Sequence, residues 1–189
     1  MKILHVILAG GQSRRFGELK ASYRYKGRPL YQLVKEQLPN EDLMIISHPD
    51  LVSFFQEEGE KEVFLDIEDV RGKGPLAGIY TAMQTKKAEW YMVVACDMPF
   101  IQGLTVERLK AYCDETFDAI VPNIHGRLQP LFSIYHRRSL LAIEQSFKKN
   151  QLSMKDFFNH LHVRYVTEKD INASENEFKN INERRDLHT

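Results

Sequence analysis

The stretch Leu8-Ala9-Gly10-Gly11-Gln12-Ser13-Arg14-Arg15-Phe16-Gly17-Glu18-Leu19-Lys20 sets a glycine pair and then three cations in one connection behind the apolar run that opens the chain. Gly10 and Gly11 lack a Cβ, so the backbone there can turn sharply and present N–H groups to an anion. Arg14 or Arg15 would grip phosphate oxygens with a planar fork, and Lys20 would add a point charge to the same group. Two familiar phosphate loops fail on spacing. A Gly-x-x-x-x-Gly-Lys-Ser/Thr loop is excluded because Arg15 follows Gly10, and Phe16 follows Gly11, where its second glycine belongs. The dinucleotide fingerprint needs Gly-x-Gly-x-x-Gly, whereas the glycines here are Gly10, Gly11 and Gly17. Alone, the stretch reads equally well as a glycine turn with solvated cations.

Carboxylates tip the balance. In Tyr91-Met92-Val93-Val94-Ala95-Cys96-Asp97-Met98-Pro99, an apolar run ends in Asp97 and is halted by Pro99. Hard dications such as Mg²⁺ are held by one or two carboxylates together with substrate phosphates and water. Asp97 opposite a cationic glycine loop therefore points to a metal–nucleotide site, although by itself it fits a turn or helix cap. Asp66 follows a short β-prone run and precedes Gly72, Gly74 and Pro75. It suits hydrogen bonding to a base or ribose, or help in placing the metal, and Asp69 competes for the same role. Cys96 reads as a small core residue, since no base accompanies it. His160 and His162 lack the partners of a metal site, and His136-Arg137-Arg138 reads as a solvated cluster in preference to one that helps bind an anionic substrate. Arg127 and Gln129 have better standing, on a loop expected at the same edge as Asp97.

Such residues meet only if a sheet brings their loops together. Unalternating apolar runs at residues 3–8, 43–46 and 90–95 suit strands covered on both faces. Helical periodicity at 30–38, 51–57 and 76–84 separates them. The later pattern predicts helices over 104–115, 139–148 and 153–159, and strands over 119–121, 131–135 and 163–166. The expected architecture is α/β, a three-layer α/β/α arrangement with a mostly parallel sheet, in a single domain over 1–189. Ligands of such sheets sit beyond the carboxyl ends of the strands, where these loops lie. The stretch 172–186 is expected to be a terminal helix or a loose tail. With 26 Lys plus Arg against 26 Asp plus Glu, no global field favours nucleic acid or an anionic membrane. Two cysteines outside any metal or redox spacing suit a reducing compartment, hence a cytoplasmic setting, and the opening apolar run is too short to span a bilayer.

In this order the pieces resemble the molybdenum cofactor guanylyltransferases, within the nucleotidyltransferase superfamily of Rossmann-like fold. The resemblance runs through LAGGQSRRFGELK, KGRPLYQ, DVRGKGPLAGIY, ACDMPF, GRLQPLFSIY and NINERRDL, nearly the whole chain. It implies transfer of GMP from Mg-GTP to the terminal phosphate of molybdopterin bearing molybdenum, with release of pyrophosphate. Leu8, Ala9, Gly10, Gly11, Lys20, Asp66 and Asp97 would contact the nucleotide, Asp97 would hold Mg²⁺, and Arg15, Lys20 and Asp97 would be catalytic. Where the family carries an Asn after the second strand, Ser47 or His48 stands here. The closing Asn-Ile-Asn is followed by Glu183 and Arg184 in place of Thr-Pro. GTP and molybdopterin would be the partners, with room for an accessory GTPase or an apo-molybdoenzyme. A phosphate monoester is already an anionic nucleophile, so the lack of an activating triad agrees with this chemistry. Cytidylyl transfer to the same pterin, transfer to a sugar phosphate, and a non-catalytic nucleotide-binding role are the alternatives.

Overall fold

The computed structural model describes residues 1–11, 16, 19–39, 42–182 and 186. In chain order the elements are β1 (Ile3–Ala9), β2 (Arg24–Tyr25), β3 (Arg28–Pro29), α1 (Leu30–Lys35), β4 (Leu43–Ser47), α2 (Val52–Glu57), β5 (Val63–Leu65), α3 (Pro75–Thr85), β6 (Trp90–Ala95), α4 (Gly103–Lys110), β7 (Ala119–Ile124), β8 (Arg127–Leu128), β9 (Phe132–His136), α5 (Ser139–Lys148), α6 (Met154–Phe158) and β10 (Val163–Thr167). The main sheet runs β10-β7-β9-β6-β1-β4-β5, with β8 attached to β7. β1, β4, β5 and β6 pair in parallel, as do β7 and β10. β9 is antiparallel to both its neighbours, β6 and β7, so the sheet is mixed and mostly parallel.

Alternation along β6 shows why its sequence is apolar throughout. Trp90, Met92 and Val94 join a core that includes Val34 of α1, Phe55 of α2 and Leu109 of α4. Tyr91 and Val93 face a second core with Ile79 of α3, Ile143 of α5 and Phe157 of α6. Every residue of β4 and β6 is buried. With helices on both faces, neither strand has a solvent side that would call for polar residues. Among the described residues no helix is long and apolar enough to cross a membrane.

Three local expectations are revised. The helix expected over 104–115 ends at Lys110, and the one expected over 30–38 ends at Lys35. The hairpin β2–β3 was not anticipated. It turns through Lys26 (φ 49°) and Gly27 (φ 82°), the pair of positive φ values that matches the twist of a tight hairpin. Over its described residues up to Asn182, the stretch after β10 is neither a terminal helix nor a loose tail. A 3₁₀ turn at Glu175–Phe178, closed by a reciprocal Ser174–Glu177 capping box, redirects the chain, and Ile181 N–H then donates to Asp97 O at 2.9 Å.

Gly74, at the entry to α3, has φ 72° and ψ −161°, a region open essentially to glycine alone. Gly74→Ala is expected to cost about 1–3 kcal/mol of stability. Urea denaturation checks this, and the midpoint should fall with little change in slope.

Candidate active site

Beyond the carboxyl ends of β1, β4, β5 and β6 lies a cavity of about 510 Å³. Backbone hydrogen bonds tie its loops to one another. His48 N–H donates to Ala9 O at 3.2 Å, Cys96 N–H to Leu8 O at 3.1 Å, and Ala95 N–H to Leu131 O at 2.9 Å. Leu8, Ala9, Gly10 and Gly11 line one side, and Gly74, Pro75 and Gly78 bring the start of α3 to another. Where α3 crosses β1 the approach is close, since a Cβ on Gly78 would stand 2.7 Å from Leu8 Cδ2.

Lys20 opens the 3₁₀ turn Lys20–Ser22. Its Nζ lies 2.8 Å from Asp97 Oδ2 and 3.1 Å from Asn182 Oδ1. The Lys20 and Asp97 side chains are only 14% and 19% exposed, so solvent screens this pair less than a surface one. Lys20 and Asp97, picked out separately in the sequence, thus share one point, and Asn182 joins them there. Arg14 and Arg15 lie outside the described residues.

Asp66 lines the cavity, whereas Asp69 is exposed on the 3₁₀ turn that follows. A Cβ on Gly10 would stand 3.9 Å from Asp66 Oδ2, so this carboxylate lies beside the glycine loop. Asp66 Oδ1 is buried with no hydrogen-bond partner among the described residues. Burial raises its pKa above the usual carboxylate range, and nearby Arg71 opposes the shift. A carboxylate so placed is an acceptor suited to N–H or O–H groups of a ligand.

Ser47 and His48 both line the cavity. Ser47 Oγ donates to His48 O at 2.8 Å, and His48 Nδ1 accepts from Asp50 N–H at 3.2 Å. In a neutral ring that bond puts the proton on Nε2, making it a donor. Arg71 also lines the cavity and had not been singled out; its position between Asp66 and Gly72 was the available signal. Arg127 and Gln129 are not among the lining residues, and their segment reaches the cavity through Leu131.

The remaining candidates are structural. The Cys96 thiol is buried, and burial, reinforced by Asp97, pushes its pKa far up, which leaves it inert. His162 Nδ1 lies 2.7 Å from Thr116 O, with its ring against Phe117. Within the cluster 136–138, Arg137 is tied in, donating to Met83 O and Tyr91 Oη, whereas Arg138 is exposed and pairs with Asp118 at 2.6 Å.

No three His, Cys, Asp or Glu residues gather as a metal site among the described residues. Among the described residues, Asp97 and Asp66 supply the carboxylate oxygens on the cavity wall. That set suits a hard dication that arrives with phosphate and water ligands of its own, and the residues therefore fit Mg²⁺.

The sequence matches the MobA-like NTP transferase domain over residues 5–165. It is 46% identical over 187 residues to a probable molybdenum cofactor guanylyltransferase of Bacillus licheniformis, covering 99% of this chain and 95% of that one. A protein of the same name from Bacillus subtilis is 45% identical over 187 residues, with 99% and 94% covered. In fold, the chain resembles molybdopterin-guanine dinucleotide biosynthesis protein A from Archaeoglobus fulgidus, with a TM-score of 0.81 at 24% identity over 100% of this chain and 95% of that one. With its mostly parallel sheet and a match spanning most of its length, the chain belongs to the MobA-like NTP transferase family and is a nucleotidyltransferase.

Proposed function

We propose that the chain transfers GMP from Mg-GTP to the terminal phosphate of molybdopterin carrying molybdenum, releasing pyrophosphate. The observation that carries this reading is the 2.8 Å pair of Lys20 and Asp97 on the wall of a cavity bounded by the Gly10-Gly11 loop. The relatives named for guanylyl transfer to the molybdenum cofactor supply the substrate class.

The acceptor phosphate forms a new P–O bond at the α-phosphorus of GTP while the bond to the bridging oxygen breaks, and pyrophosphate carries away the electron pair. No proton need be removed from the nucleophile, so the protein's task is alignment and charge neutralisation. N–H groups of the Gly10-Gly11 turn and the Lys20 ammonium bind the phosphates, and Arg15 joins them by its place in the sequence. Asp97 would hold Mg²⁺, which when bound would supply positive charge to the triphosphate and to the leaving group. The Asp66 carboxylate accepts hydrogen bonds from the base or ribose, and Ser47 and His48, at the end of the neighbouring strand β4, stand ready for the same moiety.

Three outcomes are expected. Lys20→Ala and Asp97→Ala should each retain the wild-type circular dichroism spectrum and lose about 10²–10⁴-fold in turnover, read as pyrophosphate release. With molybdopterin as acceptor, GTP should support pyrophosphate release at rates well above CTP; a preference for CTP, or a requirement for a sugar phosphate, overturns the guanylyl reading.

Asp66→Asn should separate stability from binding. A carboxyl whose native pKa lies above its unfolded one costs stability at pH values above both, because there the unfolded chain holds the charge more cheaply. The variant should therefore melt higher than wild type at pH 7 while binding nucleotide about 10–100-fold more weakly, the worth of a hydrogen bond to a charged group. In the wild type, nucleotide affinity should fall on acidification, beginning at a higher pH than an ordinary carboxylate would give. The variant should lack that limb in a pH series of thermal-shift titrations.

A further inference from the structure

Apart from the two cores that sandwich the sheet, Phe16, Leu30 and Ile181 form a third buried cluster, with Tyr23, Tyr25, Leu33 and Phe100 packed against it. Phe16 and Tyr23 meet edge to face at 4.9 Å between ring centroids, and Tyr25 and Phe100 at 6.3 Å. These residues come from five places: the first loop, the β2–β3 hairpin, α1, the loop after β6 and the segment after the last 3₁₀ turn. Three of those segments carry the side chains that meet at the Lys20 ammonium. Lys20 lies between Phe16 and Tyr23, Asp97 precedes Phe100, and Asn182 directly follows Ile181.

Ile181 is fully buried and makes a second attachment through its backbone, donating to Asp97 O at 2.9 Å. The chain just upstream is secured separately, by Phe178 edge to face with Phe132 at 5.2 Å and by Thr105 Oγ1 donating to Glu177 Oε2 at 2.6 Å. Loss of the Ile181 side chain would thus remove the apolar anchor of the short run leading to Asn182 while leaving the 3₁₀ turn in place. We propose that Ile181 is a positioning residue for nucleotidyl transfer: by seating this segment in the third cluster it sets the separation of Lys20 and Asp97. Ile181 itself touches no reacting atom. The kinetic part of this inference rests on the guanylyl-transfer reading above.

A matched pair of variants tests it. Ile171 is also fully buried but belongs to the core under one face of the sheet, so Ile171→Ala supplies the same truncation away from the site. In hydrogen–deuterium exchange, Ile181→Ala should speed amide exchange at residues 19–23 and 97–100, and Ile171→Ala should not. In pyrophosphate release with GTP and molybdopterin, kcat/KM should fall by about 10²-fold for Ile181→Ala, mostly in kcat, the expected result of displacing a charge by about an ångström. Ile171→Ala should lower Tm and leave kcat/KM of the folded protein near wild type. Ile181→Val should restore activity to within a few-fold, and, if the alanine variant does not fold, should still show smaller changes of the same sign. Unchanged exchange at residues 19–23 in folded Ile181→Ala, or a loss of kcat/KM no larger than that of Ile171→Ala, overturns the proposal. If wild type releases no pyrophosphate from GTP, the functional reading fails and the exchange measurement alone decides the positioning role.

Discussion

Holding a lysine ammonium against an aspartate while keeping water largely away from both constrains much else in this molecule. Removing charge from solvent is costly, and the cost is recovered only when opposite charges and hydrogen bonds are held in register. Lys20 meets Asp97 across 77 residues of sequence and Asn182 across 162, so the contact exists only if the entire sheet is correctly ordered. β1 and β6 must be adjacent and parallel, because only then do the chain segments leaving them emerge on the same side.

The two faces of the sheet serve this arrangement differently. On one, α1, α2 and α4 pack over Ile7, Ile45 and Trp90 and support the loop after β6. On the other, α3 crosses so near to β1 that glycine occupies position 78, which carries the helix start to the cavity wall. β9, inserted antiparallel between β6 and β7, delivers Leu131 to the end of β6, where its carbonyl accepts from Ala95. A segment with no acidic or basic group in the cavity thereby fixes the backbone two residues before Asp97.

Much of this was legible in the sequence because burial on both faces leaves a plain mark. The runs at 3–8, 43–46 and 90–95 became three adjacent strands, and the glycine pair, Lys20, Asp66 and Asp97 fell on the loops that follow strand ends. What escaped depends on partners remote in sequence. The antiparallel direction of β9 is invisible locally, since apolar strand residues look alike in either orientation. The path of the chain beyond Phe178 owes much to a buried isoleucine and its backbone hydrogen bond to Asp97, and neither leaves a periodic signature in so polar a stretch. Arg137 appeared to be a surface charge because the carbonyl and hydroxyl that receive it lie on α3 and β6, remote in sequence.

Asn182 leaves the ribosome long after the strands that carry Lys20 and Asp97 have been made. A nascent chain can pair β1, β4 and β6, and so form much of the cavity wall, while the contact from Asn182 to the lysine is still missing. Domains that assemble during synthesis pass through partly complete states of this kind. The site is therefore finished in the order of translation, with its closing strap added after its floor, and a chain interrupted before that strap would carry the glycine loop and the Lys20–Asp97 pair without the contact from Asn182.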